Sequence, residues 1–182
     1  MTLNIATYQL FQSIQNPTLT FLTKTIAILT EPLYLLTLAI IISIYLYFYP
    51  CNLQPATCNL ARKRSAILLA STSIITALLI KTLKFLIASP RPTTMLIQET
   101  GYSFPSGHTT FAIIFFGLIT YIFAKPKYKV PAIITSTILI TIITLSRLYL
   151  QVHWLTDIIG GLAIGSLILL LSIFIHKQIG AN

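Results

Sequence analysis

Residues 130–176 read VPAIITSTILITIITLSRLYLQVHWLTDIIGGLAIGSLILLLSIFIH. The apolar runs 130–149 and 154–176 are each about 20 residues long, the helix length that crosses a hydrocarbon core of about 30 Å. They meet at a junction that contains Ser146, Arg147, His153 and Asp157. Charge at the end of an apolar span is costly unless it reaches the interface, a partner or a ligand. The stretch therefore predicts two membrane helices joined by a chemically loaded turn.

Outward from this junction the pattern repeats. Apolar runs at 106–124, 65–88 and 32–49 predict three more spans. Asn16-Pro17 predicts an N-cap and first-turn proline, with Leu19, Leu22, Ile26 and Leu29 at helical spacing behind it. Residues 3–15 and 18–30 are too short to span and read as interfacial helices; the alternative is one extra tilted span. The expected fold is all-α: a polytopic membrane helix bundle of five or six transmembrane helices with N-terminal interfacial helices. Residues 1–182 are expected to form a single integral-membrane domain. Residues 50–63 are expected to be a loop that ends in Arg62-Lys63-Arg64.

Composition agrees. The chain is 55% hydrophobic and 8% charged, against about 25% charged in soluble domains, and its mean hydropathy is +0.86. The net charge of +9 fits cationic loops on one membrane face. No basic face with stacking aromatics accompanies it, so nucleic acid is not an expected partner. The acidic residues are only Glu31, Glu99 and Asp157. Two-metal hydrolysis needs several carboxylates to hold its ions, so neither a metal site nor a cofactor is expected. Cys51 and Cys58 have no metal-binding spacing. They fall in a loop expected to be cytoplasmic, where thiols stay reduced.

Three clusters bear the chemistry: Lys84 with Arg91-Pro92; Pro105-Ser106-Gly107-His108; and Ser146-Arg147 with His153 and Asp157. The span order puts all three on one face of the membrane. Lys84, Arg91 and Arg147 suit a phosphate, arginine as a planar fork and lysine as a point charge. Ser106 and Gly107 open a helix, where free N–H groups and the helix dipole attract an anion. His153 and Asp157 are one helical turn apart, so the carboxylate can hold one ring nitrogen and leave the other free to attack. Lys81 reads as a snorkelling lysine. His176, Tyr102, Tyr149 and Trp154 read as interfacial residues, and Gly161-x-x-x-Gly165 as a close helix contact.

In order and spacing the three clusters resemble the signature of the type 2 phosphatidic acid phosphatase family, which also includes vanadium haloperoxidases and glucose-6-phosphatase. The motif core covers residues 80–160. The resemblance implies a lipid phosphatase acting through a phosphohistidine intermediate. His153 would be the nucleophile, Asp157 its orienting carboxylate and His108 the general acid. Lys84, Arg91, Ser106, Gly107 and Arg147 would bind the phosphoryl group.

The expected partners are the bilayer and a lipid phosphate. A polyprenyl diphosphate of undecaprenyl or dolichyl type is favoured, with phosphatidate or phosphatidylglycerophosphate as the alternative. A non-enzymatic lipid or anion transporter built on the same cage is the reading from another class. Arg62, Lys63, Arg64, Lys125, Lys127, Lys129 and Lys177 mark the opposite face as cytoplasmic by the positive-inside rule. That places the active site on the extracytoplasmic face of the cell membrane and the C-terminus in the cytoplasm.

Overall fold

The computed structural model describes residues 2–49 and 55–181. The chain runs through α1 (Thr2–Ser13), α2 (Pro17–Leu29), α3 (Pro32–Phe48), α4 (Pro55–Ile87), α5 (Gly107–Phe123), α6 (Lys129–Tyr149) and α7 (Leu155–Ala181), with a 3-10 turn at Pro126–Tyr128. No strand occurs among the described residues. The all-helical membrane bundle expected from the sequence is the observed architecture.

Helices α4, α6 and α7 are long and apolar enough to cross a membrane by length and composition, and the pair α2–α3, bent by 42°, passes the same test as a broken span. Helix α5 is a shorter apolar helix of 17 residues. It lies at the centre of the bundle, where Phe111, Ile114, Phe115 and Leu118 meet Leu35 and Ala39 of α3 and Leu68, Leu69 and Ile80 of α4. The outer helices turn large apolar side chains outward, such as Val130, Ile138, Leu170 and Phe174. A bundle whose surroundings are lipid has no reason to hide them.

One boundary and one cysteine differ from expectation. Helix α4 starts at Pro55, so most of the expected 50–63 loop is helical. Arg62 and Lys63 stack over the rings of Tyr45 and Tyr47 at 5.4 and 5.3 Å, which gives this basic turn a surface to pack on. Cys58 is disulfide-bonded rather than the expected free thiol; Cys51 lies outside the described residues. A disulfide is characteristic of oxidising compartments, so this bond opposes the cytoplasmic placement of the 50–63 segment.

The N-terminal helices form nearly as expected, but they are not free at an interface. Asn16 caps α2 by accepting the Leu19 N–H at 3.0 Å, with Pro17 in the first turn. Its backbone N–H donates to the Tyr149 hydroxyl at 2.9 Å, and Thr20 Oγ1 lies 3.1 Å from the same hydroxyl. Tyr149 is buried and ties α2 to α6; it is not the expected interfacial anchor. Helix α1 meets the α6–α7 junction. Gln151 Nε2 donates to the Tyr8 carbonyl at 3.4 Å, and the Tyr8 and Trp154 rings stack 5.9 Å apart.

Glycines bring α7 against α5. A Cβ on Gly161 would sit 3.0 Å from the Ser106 carbonyl and 3.2 Å from Thr109 Cβ, and one on Gly165 would sit 3.1 Å from Ile113 Cδ1. Thr110 Oγ1 donates across this seam to the Gly161 carbonyl at 3.3 Å. The seam sets the distance between the two helix ends that bear His108 and Asp157. Gly161→Val is expected to destabilise the bundle by about 1–3 kcal/mol through overpacking, read as a lower melting temperature in detergent. Gly180→Val is the control: the nearest atom there is the mobile end of Arg64 at 3.5 Å, and no comparable loss is expected.

Candidate active site

Four helix ends converge at one end of the bundle. Helix α4 closes on Ala88 and α6 is followed by Gln151, both with positive φ (49° and 55°), a conformation that turns the chain sharply out of a helix. The loop between α4 and α5 folds back on itself: the Ser103 N–H donates to the Ser89 carbonyl at 2.9 Å. Gly101, at φ 73°, makes its turn.

This folding brings the three clusters together. Lys84, at the end of α4, donates to the Tyr102 and Ser103 carbonyls at 2.5 and 3.4 Å. Arg91 is fixed by three carbonyls: Nη1 donates to Val152 at 2.7 Å, Nε to Gly101 at 3.1 Å and Nη2 to Thr100 at 3.4 Å. Arg147 is fully buried. Lys84, Arg91, Gly107, His108 and His153 all line one cavity of about 440 Å³. Lys81 lines it too, rather than only snorkelling away.

His153 and Asp157 meet as the spacing predicts. Asp157 Oδ2 lies 3.3 Å from His153 Nδ1 and accepts the Trp154 N–H at 2.8 Å. A carboxylate at Nδ1 fixes the proton there, so Nε2 keeps its lone pair and faces Arg91 Nη1 at 3.5 Å. The His153 pKa is pushed down to about 4, chiefly by burial; the hydrogen bond to Asp157 opposes the shift, and the Arg91, Arg147 and Lys84 charges add to it. At neutral pH the ring is an uncharged base beside a cation-lined cavity.

Helix α5 supplies the opposite wall. Ser106 caps it, its hydroxyl 3.1 Å from Thr109 Oγ1 and 3.5 Å from the Thr109 N–H. Its own N–H donates to the Asp157 carbonyl at 3.1 Å. The expected exposed N–H of Ser106 is thus spent on α7, because Ser106 is buried in the α5–α7 seam. Gly107 and His108 are the first residues of α5 at the cavity. His108 Nε2 lies 3.2 Å from the Ala27 carbonyl and 3.3 Å from Glu31 Oε2. Both partners are acceptors, so Nε2 bears the proton.

Glu99 lies between the arginines, with Oε1 in an ion pair with Arg147 Nη2 and Oε2 3.6 Å from Arg91 Nη2. Burial pushes its pKa up, but the Arg147 charge and hydrogen bond, with Arg91 behind them, outweigh burial and hold the carboxyl below its ordinary value.

The PAP2 superfamily profile matches residues 65–180. The chain belongs to the PAP2 superfamily. Phosphatidylglycerophosphatase B of Bacillus subtilis is 36% identical over 100 residues, 52% of this chain and 49% of that protein. Undecaprenyl-diphosphatase of Sulfolobus acidocaldarius is 32% identical over 122 residues, 63% of this chain and 57% of that protein. The chain thus spans about half the length of the curated relatives it matches.

The crystal structure of a transmembrane PAP2 type phosphatidylglycerolphosphate phosphatase from Bacillus subtilis has a TM-score of 0.79 and 28% identity, over 97% of this chain and 85% of that one. Aquifex aeolicus LpxE shares the fold, with a TM-score of 0.70, 22% identity and 94% of both chains covered. With its apolar spans, the likeness to a transmembrane PAP2 structure makes the protein an integral membrane protein.

Two polar partners of this PAP2 site were absent from the sequence reading: Glu31 on His108, and Glu99 on Arg91 and Arg147. A signal existed. The chain has three acidic residues in all, and each pairs with a histidine or an arginine of the site. His176, read as interfacial, is hydrogen-bonded through Nδ1 to the Tyr121 hydroxyl at 3.1 Å and joins α5 to α7.

The His153 shift has a sign that unfolding can check. Between its ordinary value of 6.5 and about 4, the unfolded chain binds a proton at this residue that the folded chain refuses. Stability therefore falls as pH drops through that window. A His153→Gln variant is expected to lose that part of the pH dependence in melting curves taken from pH 7 to 4.

Proposed function

We propose that this protein is a lipid phosphatase that works through a phosphohistidine intermediate without a metal ion. The observation that carries the reading is the His153 ring, held through Nδ1 by Asp157 with Nε2 turned to Arg91 at the cavity. The relatives named as lipid phosphatases support it.

In this mechanism Lys84, Arg91 and Arg147, with the start of α5 at Gly107, hold the phosphoryl oxygens. Phosphoryl transfer is catalysed mainly by such positioning and charge stabilisation. Nε2 of His153 attacks phosphorus, the bond to the leaving oxygen breaks, and His108 gives that oxygen its proton. Water then attacks the phosphohistidine, returns a proton to His108 and releases inorganic phosphate. Ser106 supports the helix start and locks it to α7.

The favoured substrate is a polyprenyl diphosphate, with phosphatidate or phosphatidylglycerophosphate as the second reading. The relatives named undecaprenyl-diphosphatase and phosphatidylglycerophosphatase B support one each. A site at helix ends can admit a headgroup while the tails remain in the bilayer.

Phosphate release by the detergent-purified protein in EDTA is the test, comparing a polyprenyl diphosphate with phosphatidate. Turnover is expected to persist in EDTA. His108→Ala is expected to lose about 10²–10⁴ in rate, and His153→Ala to form no acid-labile phosphoenzyme. Lipid transport retained in His153→Ala, with no phosphate released by the intact protein, would favour the non-enzymatic reading.

We further propose that the site faces away from the cytoplasm, weighing the several basic residues at the opposite end above the disulfide at Cys58, which argues the other way. A cysteine at Thr93, with both native cysteines replaced by serine, is expected to react with a membrane-impermeant maleimide in intact cells. Protection there with labelling only after lysis would reverse the orientation.

A further inference from the structure

A cage built from Lys84, Arg91 and Arg147 has to remain folded when no substrate fills it. Arg147 is fully buried, and a buried guanidinium without a counter-charge is strongly destabilising. Glu99 meets that need with one oxygen for each arginine. The geometry is that of an anion bridging two guanidinium forks, the arrangement required of a phosphoryl group in this site.

The match is incomplete in an informative way. Arg147 Nε and Nη1 are buried and have no hydrogen-bond partner. Two carboxylate oxygens, one already turned to Arg91, leave them unsatisfied, and a buried unsatisfied donor costs free energy. A phosphoryl group presents three oxygens and can satisfy more of these donors than Glu99 does. Glu99 also lies on the boundary between the cavity at His153 and a second one of about 430 Å³ that reaches Arg147 and Lys24. From its place on a loop it has open space on both sides.

We propose that Glu99 is an internal anion that occupies the phosphoryl seat across Arg91 and Arg147 in the empty enzyme and leaves it when phosphate binds. This rests on the phosphatase reading above. Its return to the arginines helps expel inorganic phosphate. Glu99 thus positions the two arginines and sets the site's affinity for phosphate, without itself touching the reacting atoms.

The test measures inorganic phosphate as a competitive inhibitor, and as a thermal stabiliser, in wild type, Glu99→Gln and Glu99→Asp. An occupied seat lowers apparent affinity by the fraction of time it is free. Glu99→Gln is therefore expected to melt lower than wild type without phosphate, to regain stability as phosphate is added, and to bind phosphate about fivefold or more tightly. Glu99→Asp, too short to bridge both arginines, is expected to fall between the two.

A lower melting temperature with unchanged phosphate affinity would make Glu99 a structural ion-pair partner only and overturn the proposal. So would a Glu99→Gln protein that stays unfolded in saturating phosphate. If wild type neither hydrolyses lipid phosphates nor binds phosphate, the phosphatase reading itself fails; wild-type activity with a null effect of Glu99→Gln fails this inference alone.

Discussion

The structure depends on keeping several cations at one end of an apolar bundle. Arg147 is fully buried and Arg91 nearly so, yet lipid and protein interior offer them almost no solvation. The chain neutralises them sparingly. Glu99 serves both arginines, and backbone carbonyls of the α4–α5 loop and of Val152 take most of the remaining Arg91 and Lys84 donors. The fold of residues 88–106 follows from that demand, since its carbonyls must point inward to do this work.

The geometry around His153 is tied to the same end by one backbone hydrogen bond. The Ser106 N–H, at the cap of α5, donates to the Asp157 carbonyl in the first turn of α7. The helix start proposed to bind phosphate and the carboxylate that orients His153 are therefore one mechanical unit. The glycine seam below it allows the approach: bulk at Gly161 would strike the Ser106 carbonyl itself. Packing deep in the bundle thus controls distances at its polar end.

The N-terminal helices take on a role that the family match does not cover. The superfamily profile spans residues 65–180, whereas Glu31 and the Ala27 carbonyl, both on His108, precede it. Tyr149 anchors α2 from within the matched region. The proton-bearing side of the site is thus completed by a segment outside the matched region.

The sequence by itself determined the class of the fold and which charged clusters would meet at one end of it. Apolar runs of spanning length can only be helices in a bilayer, since every backbone group must be satisfied within the segment. The spacing of His153 and Asp157 on one helical face was enough to pair them. Span parity put the three clusters at one end, because helices that alternate direction return their ends to the same face.

Tertiary structure alone decided what each polar group spends its hydrogen bonds on. Sequence spacing says nothing about partners 48 residues apart, such as Arg147 and Glu99, or 81 apart, such as His108 and the Ala27 carbonyl. It could not tell that Ser106 turns its N–H to α7, that Tyr149 is internal, or that Lys81 reaches the cavity. Those outcomes are set by three-dimensional competition for scarce counter-charges and acceptors among buried groups.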